Sequence, residues 1–511
     1  MTVAKLDKPP APSLADQAAS DVFHVRSPLT GEEIGTLPLM GSREVAAVVE
    51  RARAAQPAWE ALGPPARAKL LRAWVDAVWR DQTHLMQIIR RETGKTESGA
   101  LVEILALDNI ASYYASHAAR ILRPQRRRPL IPLVQRARVE YHALGVAGFI
   151  TPWNYPYLNA LCDLLPALVA GNAVVIKPSE IAPYSALYGI EKLIEVGVPR
   201  DVVGVVTGDG TTGSALIDHV DMISLTGSTA TGRKVAQRAA ERLIPYSLEL
   251  GGKDPMIVLN DADLDAAVMG TLRAALENAG QACISVERVY VEAGIYDRFI
   301  ARALKLIQQM PIGTEAGLAT CVGCLTNERE MLRTEAHIRD AVAQGARVLY
   351  GGKRRPDLGA LFFEPTILVD VDHSMQVMQE ETFGPVIPIM RVRDADEAIR
   401  LANESEYGLS ASIYSRDLKR AKALAQQIQS GDVAINRPLM IFGTPDLPMG
   451  GVKQSGIGRR NGPEGLLRFV RTQSILSDTL FGASPALTFT DSVSLAAFKV
   501  MRRIRRSVPF I

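Results

Sequence analysis

The 511-residue sequence places a cysteine and a carboxylate in two glycine-containing turns, 34 residues apart. Cys283 lies in the window ENAGQACI (277–284), just after an apolar helical stretch, and Glu249 lies in LELGGK (248–253). The thiolate is the nucleophilic form of cysteine, and a carboxylate can take its proton or later activate a water molecule. The pair therefore suggests a thiol nucleophile working with a base, although a cysteine in such a turn, taken alone, is more often structural.

The elements that must position these residues follow from the apolar periodicity. Between 146 and 248, short β-branched runs alternate with amphipathic helical segments, and the runs cover 146–150, 173–177, 202–206, 222–226 and 246–248. Nearly continuous apolar strands separated by helices predict an α/β fold, with a parallel sheet covered on both faces. Helical periodicity also dominates 42–122, with Ser42 as the predicted N-cap, and a second α/β region from Pro255 carries Cys283.

Two turns could bind the phosphates of a dinucleotide. The segment GDGTTG (208–213) satisfies G-x-G-x-x-G after a strand, but no acidic residue ends a strand at the required distance. The segment GSTATG (227–232) also leaves a strand and opens a helix, where Ser228 and free backbone N–H groups could meet phosphate oxygens. The second turn is the preferred candidate. The alternative interpretation of this turn is that Ser228 only caps the helix and binds no ligand.

Seven windows, in order and at matching spacings, resemble the aldehyde dehydrogenase superfamily from about Pro28 to Thr472. They are TPWNYP (151–156), KPSE (177–180), TGSTATG (226–232), the Glu249 and Cys283 windows, EETFGP (380–385) and PMGGVKQSG (448–456). The resemblance implies a Rossmann-type parallel-sheet cofactor domain, an α/β catalytic domain and a small β oligomerisation arm. It also implies oxidation of an aldehyde with NAD or NADP.

By this resemblance the cofactor contacts fall on residues in five of the windows. They are Trp153, Lys177, Ser179, Glu180, Gly227, Ser228, Gly232, Leu250, Glu381 and Phe383. Lys177 and Glu180 are assigned to the adenosine ribose, Glu381 to the nicotinamide ribose and Phe383 to the nicotinamide. Glu180 should repel a 2′-phosphate whereas Lys177 and Ser179 could accept one, so NAD is slightly favoured over NADP.

The same resemblance gives catalytic roles. Asn154 is expected to donate to the oxyanion together with the Cys283 backbone N–H, and Lys177 could assist. Glu249 is expected to activate the water that hydrolyses a thioester on Cys283. Relatives that transfer the acyl group to coenzyme A lack this carboxylate, so its presence favours release of a free acid.

The substrate stays open between two classes. Relatives acting on succinate semialdehyde commonly carry arginines at two positions that are occupied here by Glu277 and Cys162, so a carboxylate substrate would lack both clamps. The loop 438–442 is apolar and could line a tunnel for a medium or long apolar or aromatic aldehyde. Against this, the whole chain resembles a long-tailed branch labelled succinate-semialdehyde dehydrogenase.

The remaining expectations concern organisation and location. The predicted domains are 1–122 with 143–251 for the cofactor, 252–445 for catalysis, 123–142 with 466–490 for an oligomerisation arm, and a basic amphipathic tail at 491–511. A homodimer or homotetramer is implied by the resemblance. A net charge of +3 and arginine runs without interleaved aromatics argue against nucleic-acid binding.

Cysteine usage and the N-terminal segment favour a cytoplasmic protein, with the tail either touching an anionic membrane surface or packing on the oligomer. Cys321 and Cys324 form C-x-x-C without further ligands at suitable spacing, so no metal site is expected. The rival from another class is a catalytically silent scaffold of the same fold. It would be favoured by loss of Cys283, Glu249 or Asn154, and all three are present.

Overall fold

A computed structural model describes residues 21–129, 135–315, 317–478, 495–496, 499–500 and 502–503. The strands are β1 Val22–Arg26, β2 Glu33–Pro38, β3 Gln125–Arg127, β4 Gln135–Ala143, β5 Val146–Ile150, β6 Ala173–Lys177, β7 Val203–Val205, β8 Met222–Thr226, β9 Tyr246–Glu249, β10 Asp254–Val258, β11 Val286–Glu292, β12 Arg347–Tyr350, β13 Thr366–Val369, β14 Val386–Val392, β15 Ser412–Tyr414, β16 Ala434–Ile435, β17 Gly456–Ile457 and β18 Val470–Asp478. The α-helices are α1 Ser42–Ala61, α2 Gly63–Arg80, α3 Gln82–Thr93, α4 Glu97–Ile121, α5 Pro156–Leu161, α6 Leu164–Ala170, α7 Tyr184–Glu195, α8 Gly210–Ile217, α9 Thr229–Glu241, α10 Leu264–Leu276, α11 Ala293–Ile307, α12 Glu328–Ala343, α13 Gln376–Gln379, α14 Ala395–Asn403, α15 Leu418–Ala425 and α16 Gly462–Leu467.

One sheet has the order β17-β9-β8-β5-β6-β7. Its neighbours from β9 to β7 are parallel, and β17 closes the β9 edge in antiparallel register, with Gly456 opposite Glu249. Strands β5, β6 and β8 match the apolar runs of the sequence. The expectation of an α/β fold with parallel sheets is confirmed, because these strands are buried along nearly their whole length, as in a sheet covered by helices on both faces.

A second sheet has the order β12-β13-β14-β11-β10-β15-β16 and is parallel except at β12. Helix α10 follows β10 and leads to the turn that carries Cys283 before the chain enters β11. Strand β11 is buried along its entire length, as expected for a strand inside a doubly covered sheet.

The predicted N-cap of the first long helix is wrong by one residue. Helix α1 begins at Ser42 itself, and Gly41 is the N-cap. The Gly41 N–H donates to Glu44 Oε2 at 3.0 Å, so a glutamate in the first turn satisfies the end of the helix that Ser42 was expected to cap.

The described residues fall into two compact units, one within Met1–Ile121 and Ala143–Val470 and the other within Leu122–His142 and Arg471–Ile511. In the second unit, the order β18-β4-β3 forms a small sheet in which β3 and β4 are antiparallel. Within this pair, Arg126 lies opposite Arg138.

The basic amphipathic helix predicted for the tail lies largely outside the described residues, and the tail positions that are described are helical and exposed. Among the helices within the described ranges, none combines the length and the apolar character needed to cross a bilayer.

Candidate active site

The turn that carries Cys283 has an unusual backbone. After α10 ends, Asn278 and Ala279 adopt φ values of 51° and 55°, and Gly280 follows at 77°. Left-handed conformations at non-glycine residues cost of order 1 kcal/mol or more each and cluster at functional sites. Gly280 has no room for a side chain, since a Cβ would lie 2.1 Å from the carbonyl oxygen of Gly384. The turn is therefore wedged against the loop that carries Phe383.

The thiol of Cys283 is partly buried at the end of this turn. Burial raises the pKa of Cys283 to about 12, and the nearby Arg460 guanidinium is the largest influence in the opposite direction. Without other help the thiol would remain protonated at neutral pH, so it needs a base to become a nucleophile.

Glu249 ends β9, and its side chain is buried. Its Oε1 has no hydrogen-bond partner within the described part of the chain. Burial raises the pKa of Glu249 to about 7, and the positive charge of Arg460 is the largest influence that lowers it. The Gly251-Gly252 turn after β9 meets the Cys283 loop directly, because a Cβ on Gly252 would lie 2.3 Å from the Cys283 carbonyl oxygen. The structure thus brings the two predicted partners together.

Asn154 is bound to the same loop through both its side chain and its backbone. Its Nδ2 donates to the Gln281 carbonyl oxygen at 3.0 Å, and its own carbonyl oxygen accepts from Asn278 Nδ2 at 2.9 Å. Asn154 is almost fully buried, at 4% exposure. The position predicted for an oxyanion donor therefore adjoins Cys283.

A buried ion pair fixes the segment that carries Asn154, and the sequence interpretation missed it. Lys95 Nζ lies 2.5 Å from Glu103 Oε1 and donates to the Asn154 carbonyl oxygen at 2.8 Å. Glu103 Oε2 accepts from the Leu158 N–H at 3.0 Å. Such a pair resists removal of one partner, because the other would remain as an uncompensated buried charge.

Arg460 forms a second buried cluster beside Glu249 that the sequence interpretation also missed. Its Nη2 donates to Asp163 Oδ2 at 3.0 Å and to Thr226 Oγ1 at 2.9 Å, and Thr226 is the strand neighbour of Glu249. Arg468 forms a second ion pair with Asp163. These two arginines hold the pKa of Asp163 below its usual value despite its complete burial.

Lys177 and Glu180, at the carboxyl end of β6, form a pair of 3.0 Å, and Lys177 Nζ also donates to the Gly208 carbonyl oxygen at 2.7 Å. Lys177 therefore lies beside Glu180, the other residue predicted to contact the adenosine ribose. Ser179 is buried, and its Oγ accepts from the Ile181 N–H at 3.3 Å.

The two glycine-rich turns differ in what caps their helices. Asp209 caps α8 by accepting from the Thr211 N–H at 2.8 Å, so a carboxylate already occupies the position where a phosphate would lie. In the other turn the neutral Ser228 caps α9, accepting from the Thr231 N–H at 3.3 Å. An anion is favoured only at the second helix N-terminus, where no negative side chain competes with it.

The residues behind this second turn are closely packed. Gly227 N–H donates to the Glu249 carbonyl oxygen at 3.0 Å. A Cβ on Gly232 would lie 2.6 Å from Leu250 Cδ2, so only glycine lets α9 approach Leu250.

The predicted nicotinamide-side residues also lie together. Glu381 Oε1 accepts from the Gly252 N–H at 3.0 Å, and burial raises the pKa of Glu381 to about 8. The rings of Trp153 and Phe383 meet edge to face with centroids 5.6 Å apart. A Cβ on Gly251 would lie 2.7 Å from Glu381 Oε2, so the glycine leaves the space this carboxylate needs.

Glu287 holds the backbone of the Phe383 loop by hydrogen bonds, and nothing in its local sequence indicated this role. Its two carboxylate oxygens accept from the N–H groups of Thr382 at 2.7 Å and Phe383 at 2.9 Å. The fully buried Lys253 neutralises it, with Nζ 2.6 Å from Oε2.

The other cysteines lie outside the turn that carries Cys283, although Cys162 Sγ is 3.9 Å from the Asn159 carbonyl oxygen. Cys162 is buried and its pKa is raised to about 12 by burial. Cys324 is buried with Sγ 3.6 Å from the Gly94 carbonyl oxygen, whereas Cys321 is exposed.

The comparison that decides the family covers most of the chain. The model of the aldehyde dehydrogenase family matches residues 15–475. The chain belongs to the aldehyde dehydrogenase family. Its Cys283, Glu249 and Asn154 windows all fall within the matched region.

Three similar proteins illustrate the range of this family. A Mycolicibacterium smegmatis protein, provisionally named succinate-semialdehyde dehydrogenase (NADP+), is 39% identical over 98% of this chain and 99% of its own length. A 4,4′-diapolycopene aldehyde oxidase from a Methylomonas species is 41% identical over 87% of this chain and 83% of its own. The crystal structure of a Mycobacterium tuberculosis aldehyde dehydrogenase complexed with NAD+ is 35% identical, with a TM-score of 0.86 over 89% of this chain and 94% of that one.

These matches make the chain an NAD(P)-dependent aldehyde dehydrogenase that uses NAD or NADP. The family resemblance inferred from the seven windows is confirmed.

Proposed function

We propose that this aldehyde dehydrogenase converts an apolar aldehyde to the free carboxylic acid through a thioester on Cys283 that Glu249 hydrolyses. The observation that carries the proposal is the Glu249 carboxylate, which is buried beside the Cys283 loop with an unpartnered oxygen and a pKa raised to about 7. A carboxyl group with this pKa can both accept and release a proton near neutral pH.

In the first half-reaction, the Cys283 thiol loses its proton to solvent and its sulfur bonds to the aldehyde carbon, while Glu249 stays ionised for the second half-reaction. The carbonyl π electrons move onto oxygen, where Asn154 Nδ2 and the Cys283 backbone N–H donate to the developing charge. Glu381 and Phe383 would hold a nicotinamide that supplies the hydride acceptor, and loss of hydride from the adduct carbon would leave an acyl group on sulfur. In the second half-reaction, Glu249 takes a proton from water, the hydroxide oxygen bonds to the acyl carbon, and the carbon–sulfur bond breaks to release the acid.

The cofactor fits the residues described at the ends of β6, β8 and β9. Lys177, Ser179 and Glu180 would hold the adenosine ribose, and the N-terminus of α9 would face the phosphates with Ser228, Gly227 and Gly232. Leu250, Glu381, Phe383 and Trp153 would enclose the nicotinamide end. The support is the uncharged helix N-terminus at Ser228 and the cleared space around the Glu381 carboxylate.

An apolar substrate is supported by the residues beside Cys283. A pocket is lined mainly by apolar side chains, including Ile284, Leu439, Phe442 and Met449, and the charged residue among its lining is Asp432. Asp432 would repel a carboxylate, and so would Glu277 if it faced the substrate. The diapolycopene aldehyde named for one relative is an extended apolar aldehyde. The name of the Mycolicibacterium smegmatis relative favours the second candidate, succinate semialdehyde.

Two variants test the mechanism with decanal as substrate. We expect Cys283→Ala to abolish oxidation. We expect Glu249→Gln to lower turnover by about 100-fold or more while accumulating an acyl-enzyme visible by intact-mass spectrometry, because its amide cannot take a proton from water. The exposed Cys321→Ala is the matched control for Cys283→Ala.

The unmodified enzyme should also show a pH dependence. The rate of acyl-enzyme hydrolysis should fall as pH drops below about 7, where Glu249 becomes protonated.

Unchanged turnover in either variant would refute the residue assignment. The same assay with succinate semialdehyde separates the two substrate classes: a kcat/KM higher than that for decanal would overturn the apolar proposal while leaving the mechanism intact.

A further inference from the structure

The side-chain amide of Asn154 lies at one end of a chain of hydrogen bonds that begins at Arg460. Arg460 Nη1 donates to Asn159 Oδ1 at 3.4 Å, and Asn159 Nδ2 donates to Asn154 Oδ1 at 3.4 Å. Asn154 Nδ2 in turn donates to the Gln281 carbonyl oxygen at 3.0 Å. Arg460, Asn159 and Asn154 are buried, at 3%, 6% and 4% exposure.

The direction of this chain follows from the chemistry of its first member. A guanidinium carries only N–H donors, so the oxygen of Asn159 must face Arg460. Arg460 is itself held in place by Asp163 and Thr226. The NH2 group of Asn159 therefore faces Asn154, and the oxygen of Asn154 must face Asn159. The amide orientations are thus set from both ends, by the Arg460 guanidinium, which cannot accept, and by the Gln281 carbonyl oxygen, which cannot donate.

The consequence for Asn154 is that its NH2 group points towards the Cys283 loop. With one hydrogen given to the Gln281 carbonyl oxygen, the second is available to another acceptor. If the amide turned over, its oxygen would oppose the Gln281 carbonyl oxygen and would repel an oxyanion formed on the Cys283 adduct.

We propose that Asn159 is a positioning residue, oriented by Arg460, that keeps the donor end of the Asn154 amide facing the reacting carbonyl oxygen. The inference rests on the oxyanion role proposed above for Asn154. Two of its bonds are 3.4 Å long and contribute little to folding, so the function of the chain lies in its polarity.

Asn159→Asp tests that polarity, because it keeps the shape and the acceptor for Arg460 but presents a second acceptor to Asn154. The amide of Asn154 then turns its NH2 group towards residue 159 and its oxygen towards the reaction. We expect kcat to fall by about 100-fold, the typical effect of losing one oxyanion donor. The KM for the nicotinamide cofactor and the apparent melting temperature should stay close to those of the unmodified enzyme.

The same substitution in an Asn154→Ala background separates positioning from other effects. A positioning residue has no further effect once its target is gone, so kcat should be the same in Asn154→Ala and in the double variant. A further large fall in the double variant would show that the new charge acts directly and would overturn the proposal, as would an unchanged kcat in Asn159→Asp.

Asn159→Leu provides a second readout if the aspartate variant does not fold. It removes the constraint without adding charge, so it should lower kcat by about tenfold only when Asn154 is present. Loss of activity in both backgrounds would overturn the proposal. If Asn154→Ala alone retains the original kcat, the oxyanion role of Asn154 fails first, which distinguishes that result from a failure of Asn159 alone.

Discussion

At the scale of single residues, the ionised carboxylate of the buried Glu249 lowers the free energy of unfolding. Burial raises its pKa from 4.5 to about 7, so the folded state binds the proton more tightly than the unfolded state. The free energy of unfolding therefore decreases as pH rises between these values, and the cost is complete above about pH 7, on the order of 3 kcal/mol. The ionised form that catalysis requires is the form that folding disfavours.

Glu180 is the residue on which the choice between NAD and NADP should depend. Its carboxylate would repel a 2′-phosphate. It also forms an ion pair with the Lys177 ammonium group, which could otherwise bind that phosphate. We expect Glu180→Gln to shift the ratio of kcat/KM values towards NADP by about tenfold, equivalent to about 1.4 kcal/mol. Steady-state kinetics with each cofactor measure the ratio.

Glu191→Gln is the matched control for this experiment, because Glu191 lies on α7 and also pairs with a basic residue, Arg200, which follows that helix. An NADP preference that moves equally in both variants would show that general charge, and not the position of Glu180, sets the cofactor ratio.

At the scale of elements, the site is assembled from strand ends and tight turns, and glycines allow them to approach. Gly450 has φ 155°, and a Cβ there would lie 3.0 Å from Glu249 Oε1 and 2.6 Å from the Gly458 carbonyl oxygen. The segment 448–450 thus forms one wall around the Glu249 carboxylate.

We expect Gly450→Ala to displace Glu249 or this wall and to lower the rate of acyl-enzyme hydrolysis by about 100-fold, since a shift of about 1 Å has that effect on reacting groups. Pre-steady-state kinetics with intact-mass detection measure the hydrolysis step. Gly443→Ala is the control, because its Cβ would meet only the Met440 carbonyl oxygen at 3.7 Å. Equal hydrolysis rates in the two variants would contradict the role assigned to Gly450.

The elements themselves were largely predictable. Strands β5, β6 and β8 are predominantly apolar, and β4 alternates between polar and apolar residues, so each has a pattern that local sequence displays. The windows around Cys283, Glu249 and Asn154 were equally visible. The pairs Lys95–Glu103 and Arg460–Asp163 were not, because each joins charges on different segments and nothing local distinguishes a buried lysine or arginine from an exposed one.

At the scale of the whole molecule, the small sheet β18-β4-β3 needs a surface to pack against. Most residues of β18 are exposed, and β4 has one buried residue, Ala143. A sheet of so few strands is marginal without a core of its own. We therefore propose that it packs against a second copy of the chain, as the family resemblance implies.

Removing β18, and with it one edge of this sheet, should reduce the oligomer to smaller species. We expect a chain ending at residue 470 to sediment at a lower mass per particle than the full chain by analytical ultracentrifugation. A chain ending at residue 490 is the control, because it lacks only the basic tail and keeps β18. Identical association states for the full chain and the chain ending at 470 would refute the assignment of β18 to an oligomer interface.

The pairing of β17 with β9 has a consequence during synthesis on the ribosome. Strand β9 ends at Glu249, but the strand that covers its edge begins at Gly456, roughly 200 residues later. At about 5–20 residues per second, the nascent chain exposes that edge for roughly 10–40 s. Unpaired edges invite pairing with other chains, so this interval is when the newly made protein most needs a chaperone.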